Sequence, residues 1–168
     1  MSITGDQPNI KIETVIRLLK LLTDNYKLIR VGRNFGTIKL VSELNHGKRV
    51  IFLVNVDSDM LANLHRSSDI FIFPSPYEGF GIPVLEAMAS GIPVITSDRA
   101  PLLEVVGDAG IVCDPFDLKF MRNSILEITE NDFLKAELVG IGLERSKIFS
   151  SERQFKALNA IVEKVWEQ

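Results

Sequence analysis

Cysteine, tryptophan, histidine and tyrosine are nearly missing from this chain: its 168 residues include one Cys, one Trp, two His and two Tyr. Cys113 has no second cysteine to pair with, so no intrachain disulfide can form, and a reducing, cytoplasmic setting is expected. One cysteine and two widely spaced histidines, His46 and His65, make no metal-ligand cluster, and structural roles are expected of all three. No sign of charge dominates. Nineteen Lys and Arg stand against 22 Asp and Glu, a net charge of −3, which offers no wholesale pull toward nucleic acid or an anionic membrane. The longest apolar runs, such as residues 50–54, fall far short of the ~20 residues that cross a bilayer. The first ten residues, MSITGDQPNI, lack both a basic start and an apolar run, so no secretory signal is expected. Repeats, low-complexity tracts and interior linkers are missing too, and the length suits one domain over residues 1–168.

What the chain does contain is alternation. Short β-branched runs at residues 26–31, 49–54, 69–73, 92–96 and 110–113 read as strands, several of them apolar on both faces. Helical patterns at 11–24, 37–45, 59–68 and 81–90 separate them; in the first, Ile12, Val15, Ile16, Leu19 and Leu22 share one face. This layout predicts a layered α/β domain with a parallel sheet. After Asp114-Pro115 the strand pattern stops, and three helices are expected over 117–131, 133–149 and 152–166, with Asp117 and Ser150 or Ser151 as N-caps. At the start, MSIT leaves room for only a stub of strand before Gly5 and Pro8, so the chain is expected to be clipped at its front.

The segment 69–110 carries the most chemistry. A buried strand ends in Pro74-Ser75-Pro76-Tyr77, and Glu78-Gly79-Phe80-Gly81-Ile82-Pro83 leads into an apolar helix holding Glu86. Two glycines allow a ligand close to the backbone, and a helix start offers N–H groups to an anion. Pro83 suits the first helical turn, where its missing N–H costs nothing. Glu86 has only apolar neighbours, Val84, Leu85, Ala87, Met88 and Ala89, so an ionised carboxylate there needs a partner. Helical side chains lean toward the N-terminus, which aims Glu86 at the loop and lets it share a small cavity with Glu78. The plainer reading is that Glu86 pairs with an amide or an arginine and fixes the turn. Gly79-Phe80-Gly81 with Asp98 imitates a dinucleotide fingerprint, but Val84 stands at the third glycine position and Glu78 would face the pyrophosphate. Asp57-Ser58-Asp59 resembles a metal-holding Asp-x-Asp, yet helix capping explains it fully. Phe149, Phe155 and Trp166 fall in helical stripes and read as packing.

From Pro74-Ser75 through Glu78-Gly79-Phe80-Gly81, Pro83, Leu85-Glu86-Ala87-Met88-Ala89, Gly91 and Pro93-Val94-Ile95, the sequence resembles the nucleotide-sugar signature of retaining glycosyltransferases of family 4, which have the two-domain GT-B fold. The Glu-x7-Glu spacing of Glu78 and Glu86 is that family's hallmark. Residues 103–110 and Asp114-Pro115 match its next segment, so the resemblance covers nearly the whole chain but only the C-terminal half of a family member. It implies a Rossmann-like doubly wound parallel sheet in the order 3-2-1-4-5-6, first strand shortened, followed by three C-terminal helices. It also implies roles. Glu86 would bond the ribose hydroxyls of a nucleoside diphosphate, and Glu78 would lie beside the donor sugar. The backbone of Gly79, Phe80, Gly81 and Ile82 and the helix start at Pro83 and Val84 would receive phosphate and sugar oxygens. Asn55 and Val56 would touch the base, and Lys11 would stabilise the leaving diphosphate.

Two departures stand out: Ile10 occupies the position where the family carries lysine, putting Lys11 one place late, and Val54 replaces a common glycine. The resulting expectation is a donor-binding domain for retaining sugar transfer, free of metal and cofactor, and inactive without an N-terminal domain. Its partners would be a nucleotide sugar and either a separate N-terminal half or a second copy, with membrane association only peripheral, through the missing domain. The rival readings are a catalytically silent binding or assembly subunit and a dinucleotide-dependent oxidoreductase domain.

Overall fold

The structure, a computed structural model, describes residues 2–3, 12–32 and 37–166. Six strands, β1 (Ser2–Ile3), β2 (Leu28–Val31), β3 (Val50–Leu53), β4 (Phe71–Phe73), β5 (Val94–Ser97) and β6 (Gly110–Cys113), alternate with α1 (Ile12–Leu18), α2 (Thr37–Glu43), α3 (Ser58–Arg66), α4 (Ile82–Ala89) and α5 (Ala100–Val106). Three helices follow, α6 (Leu118–Glu130), α7 (Asp132–Ile148) and α8 (Ser151–Trp166). All pairing is parallel. Hydrogen bonds join β1-β2-β3 and β4-β5-β6 as two ladders, and β1 lies beside β4, which gives the expected order 3-2-1-4-5-6. Because β1 pairs only from Ser2 opposite Arg30, the first residues of β2 extend past it.

Burial explains the order. β4 and β5 are buried at every position, as interior strands covered on both faces must be, whereas β3 and β6 at the edges are only partly buried. On one face α1, α2 and α6 enclose Val15, Ile16, Leu18, Leu28, Ile72 and Ile125. On the other, α4, α5 and α7 enclose Phe71, Phe73, Val84, Met88, Leu102 and Val105. The helices start where their caps say. Asp57, Asp117 and Asn131 accept from the N–H groups of Met60, Phe120 and Leu134 at 2.8, 2.9 and 3.0 Å, each satisfying an orphan donor of the first turn.

Three sequence expectations change. Helix α1 ends at Leu18 and tightens into a 3-10 turn over Leu19–Leu21, so the expected helix to residue 24 is cut short. Helix α5 went unpredicted; it is seven residues long, carries Pro101 in its first turn, and buries only Leu102, Val105 and Val106. Phe155 and Trp166 do not pack. Every described side chain of α8 is exposed, so Phe155, Leu158, Ile161, Val162 and Trp166 form an uncovered apolar stripe. A single helix cannot bury its own stripe, and nothing among the described residues lies over it.

His65 tests the packing between α3 and β4. Its ring meets Phe71 edge-on at 5.2 Å, and both nitrogens are buried without a partner among the described residues. Burial pushes its pKa from 6.5 down to about 4. Between those values the unfolded chain takes up a proton that the folded one refuses, so stability falls as pH drops from 6.5 toward 4. The loss attributable to this ring amounts to about 3 kcal/mol. We expect His65→Phe to flatten that part of the stability–pH curve, measured by urea unfolding at half-unit pH steps; an unchanged slope would show that His65 is not held neutral.

Candidate functional site

The connection from β4 to α4 runs along the C-terminal edge of the sheet, where the strand order reverses between β1 and β4 and an open α/β sheet leaves a crevice. Side chains of β5 anchor it. Thr96 Oγ1 donates to the Phe73 carbonyl at 3.0 Å, and the Ser97 hydroxyl donates to the Ser75 carbonyl. Ser75, fully buried, donates to the Tyr77 carbonyl at 2.9 Å and turns the chain outward. These two β5 hydroxyls went unnoticed in the sequence, where Thr and Ser at a strand end carry no distinctive signal.

The turn into α4 is made at Gly81, whose φ of 99° lies in the left-handed region. That conformation calls for glycine, and a Cβ added there would also sit 2.5 Å from Leu102 Cδ2, the tip of a side chain that would have to shift. The Gly81 carbonyl already accepts from the N–H groups of Val84 and Leu85, and Pro83 has none to give. Of the amides assigned to phosphate and sugar oxygens, that of Val84 is therefore spent within the helix. Phe80, Gly81 and Ile82 are different: their N–H groups have no protein partner among the described residues. Gly79 directs its amide at the Glu78 carboxylate.

The two acids sit differently from the expectation. Glu78 is half-buried in the loop; burial raises its pKa, against which the Gly79 amide and the Ser75 hydroxyl favour the charged form. Ser75 has one proton, shared between Glu78 and the Tyr77 carbonyl. Glu86 is exposed, not enclosed. Its sequence neighbours Val84, Ala87 and Met88 turn inward, while residues 82, 86 and 89 share the outer strip of α4. Nearby apolar surface still raises its pKa by desolvation. An open rim thus replaces the small shared cavity foreseen for the two carboxylates.

Other predicted residues fall as follows. Asn55 and Val56 follow β3, with Asn55 exposed and left-handed at φ 55°, and they lead into α3, which packs beside α4. Asp57 caps α3 through Met60, as expected. Lys11 and Ile10 lie outside the described residues. Cys113 is buried, donates to the Thr96 carbonyl at 3.4 Å, and has its thiol pushed up to about 12 by burial, so it is no nucleophile. Among the described residues no three His, Cys, Asp or Glu side chains converge as metal ligands, and no helix is long and apolar enough to cross a membrane. A cavity of about 690 Å³ opens at the opposite end of the sheet, lined by Leu18, Leu28, Ile29, Ile70 and Ile125. It lies beside the start of β2 that β1 does not reach, and far from every residue of the loop.

If Gly81 is fixed by conformation and contact, Gly81→Ala will cost about 1–3 kcal/mol of unfolding free energy. Nothing lies within 4 Å of a Cβ on Gly79, so Gly79→Ala should stay within about 0.5 kcal/mol of wild type. Denaturant midpoints of the two variants decide the matter, and equal losses would mean the turn is not built as described.

Known proteins resemble this arrangement in sequence and in fold. A 101-residue stretch is 42% identical to the O-antigen chain mannosyltransferase B of Escherichia coli, covering 60% of this chain and 26% of that protein. The O-antigen chain mannosyltransferase RfbU of Salmonella typhimurium is 34% identical over 134 residues, covering 77% of this chain and 38% of its own. The sucrose-phosphate synthase of Thermosynechococcus elongatus superposes with a TM-score of 0.88 at 25% identity, over 99% of this chain and 45% of that one. The chain spans less than half the length of each of these proteins. Its α/β fold is that of the C-terminal domain of GT-B glycosyltransferases, and a dinucleotide-dependent oxidoreductase is the wrong family. The family profile described as glycosyl transferases group 1 matches residues 7–142, and the chain belongs to that family.

Proposed function

We propose that this chain is the nucleotide-sugar-binding half of a retaining, metal-independent glycosyltransferase and transfers no sugar by itself. The observation that carries this reading is the row of unpartnered amides, Phe80, Gly81 and Ile82, at the head of α4. Preorganised N–H groups of this kind suit phosphate and sugar oxygens, and they hold charge without having to reorganise. Glu86, at the open rim, is the acceptor for two ribose hydroxyls, and Glu78, deeper in the loop, lies beside the donor sugar. Asn55 and Val56, carried by the loop before the adjacent helix, flank the base. The names of the relatives make mannose the first sugar to test.

In this reading the leaving diphosphate is stabilised by the loop amides and by Lys11, and no metal ion is required. Support for metal independence comes from Asp57, whose carboxylate is engaged by the Met60 amide. Transfer also needs an acceptor hydroxyl held against the anomeric carbon, an arrangement worth about 7–11 kcal/mol when complete. We assign that task to an N-terminal domain, with the apolar stripe of α8 as the surface for it or for a second copy. A reducing, cytoplasmic setting suits the lone buried thiol.

Calorimetric titration with GDP, UDP and ADP tests the binding claim. Glu86→Gln should weaken the preferred diphosphate by roughly 1.5–3 kcal/mol, the value of a charge-assisted hydrogen bond. The raised pKa of Glu86 adds a pH signature. Affinity should begin to fall at a higher pH than for an ordinary carboxylate, and the Gln variant should lose that dependence. Wild-type affinity in the variant would remove Glu86 from the ribose. EDTA should leave binding intact; a large loss on chelation would restore a metal to the site. The purified chain given several sugar donors and acceptors should show no transfer, and efficient turnover would contradict the assignment of half an enzyme.

A further inference from the structure

The C-terminal end of α7 reaches the β4–α4 connection by two routes, one through α5 and one direct. Arg145 Nε donates to the Val105 carbonyl at 2.7 Å, and Arg145 Nη2 donates to the Glu104 carbonyl. These are terminal carbonyls of α5, which the helix itself leaves unsatisfied and which carry its negative dipole end. Room for the guanidinium comes from Gly107, where a Cβ would collide with Arg145 Cζ. Pinned in this way, α5 presents Leu102 to Gly81. One helical turn after Arg145, the Phe149 ring meets the Phe80 ring edge-to-face at 5.8 Å between centroids. The Arg145 guanidinium carbon stands 5.9 Å from the Phe149 centroid, so the two residues brace each other as well.

We propose that Arg145 and Phe149 are positioning residues for the sugar-donor loop. Phe149 holds Phe80 directly, and Arg145 holds Gly81 through α5 and Leu102. Neither residue touches the ligand. The physical reason is ordering. Phe80 is 40% exposed, and a loop that presents three amides to a ligand binds well only if it does not first have to be immobilised. Two contacts from one turn of α7, which also packs along α4 at Gly142 and Met88, supply that fixity.

This proposal rests on the donor-site reading of the loop, and its test separates the two. The probes are the backbone amide resonances of Phe80, Gly81 and Gly140 in the full ¹⁵N-labelled chain, recorded without ligand, and a calorimetric titration with GDP. Phe149→Leu should shift and broaden Phe80 and Gly81, leave Gly140 in place, and weaken GDP between about 2-fold and about 10-fold. Phe149→Tyr keeps the ring edge and should restore both readouts, and Arg145→Met should disturb Gly81 while the chain stays folded. Unmoved loop resonances in Phe149→Leu and Arg145→Met overturn the proposal, as does failure of Phe149→Tyr to rescue. If the wild-type chain takes up none of the diphosphates while the loop resonances respond as described, positioning stands and the donor-site reading falls.

Discussion

The left-handed backbone at Gly81, packed against Leu102, is the constraint on which the rest of the site depends. With φ at 99°, any residue but glycine would strain this backbone, and its Cβ would push on Leu102 Cδ2. It sets where α4 begins, and hence which amides the first turn uses and which it leaves open. It also fixes the rotation of α4, which turns Val84, Ala87 and Met88 toward the sheet and Glu86 outward. The β5 hydroxyls secure the other end of the same loop to the sheet. A short interior strand, two hydroxyl–carbonyl bonds and one glycine thus convert a buried core into a rim of unpartnered donors.

Much of this could be read in the sequence because the relevant signals are local. Apolar runs of three to five residues, glycine and proline punctuation, and capping aspartates located the strands, the loop and most helix starts. What was missed depends on the third dimension. Glu86 looked buried because its sequence neighbours are apolar, yet on a helix Val84 and Ala87 point away from it. Arg145 and Glu104 are 41 positions apart, and no periodicity connects Phe149 to Phe80. Helix α5 hid behind Pro101 and its brevity. The stripe of α8 was visible as a stripe, but whether a stripe is covered is a property of the surroundings and not of the helix.

The division of labour in a GT-B enzyme accounts for the remaining features. The chain matches less than half of each relative, and the residues proposed to meet the donor gather at the C-terminal edge of the sheet. At the other end, the cavity between α1 and α6 has a mixed wall, Leu and Ile side chains beside polar ones such as Lys27, Ser67 and Asp69, and collects none of the acids or open amides of the loop. Between that cavity and the rim, the acids and open amides of the loop favour the rim as the binding site.

The most direct test of the account is therefore one of location. Titrating GDP, UDP and ADP into the ¹⁵N-labelled chain and following amide shifts residue by residue reports where a diphosphate sits. The account predicts that shifts concentrate on Phe80, Gly81, Ile82 and Glu86, with smaller ones at Asn55 and Val56. Shifts centred instead on Leu18, Leu28 and Ile125, or no shifts with any of the three, would contradict it.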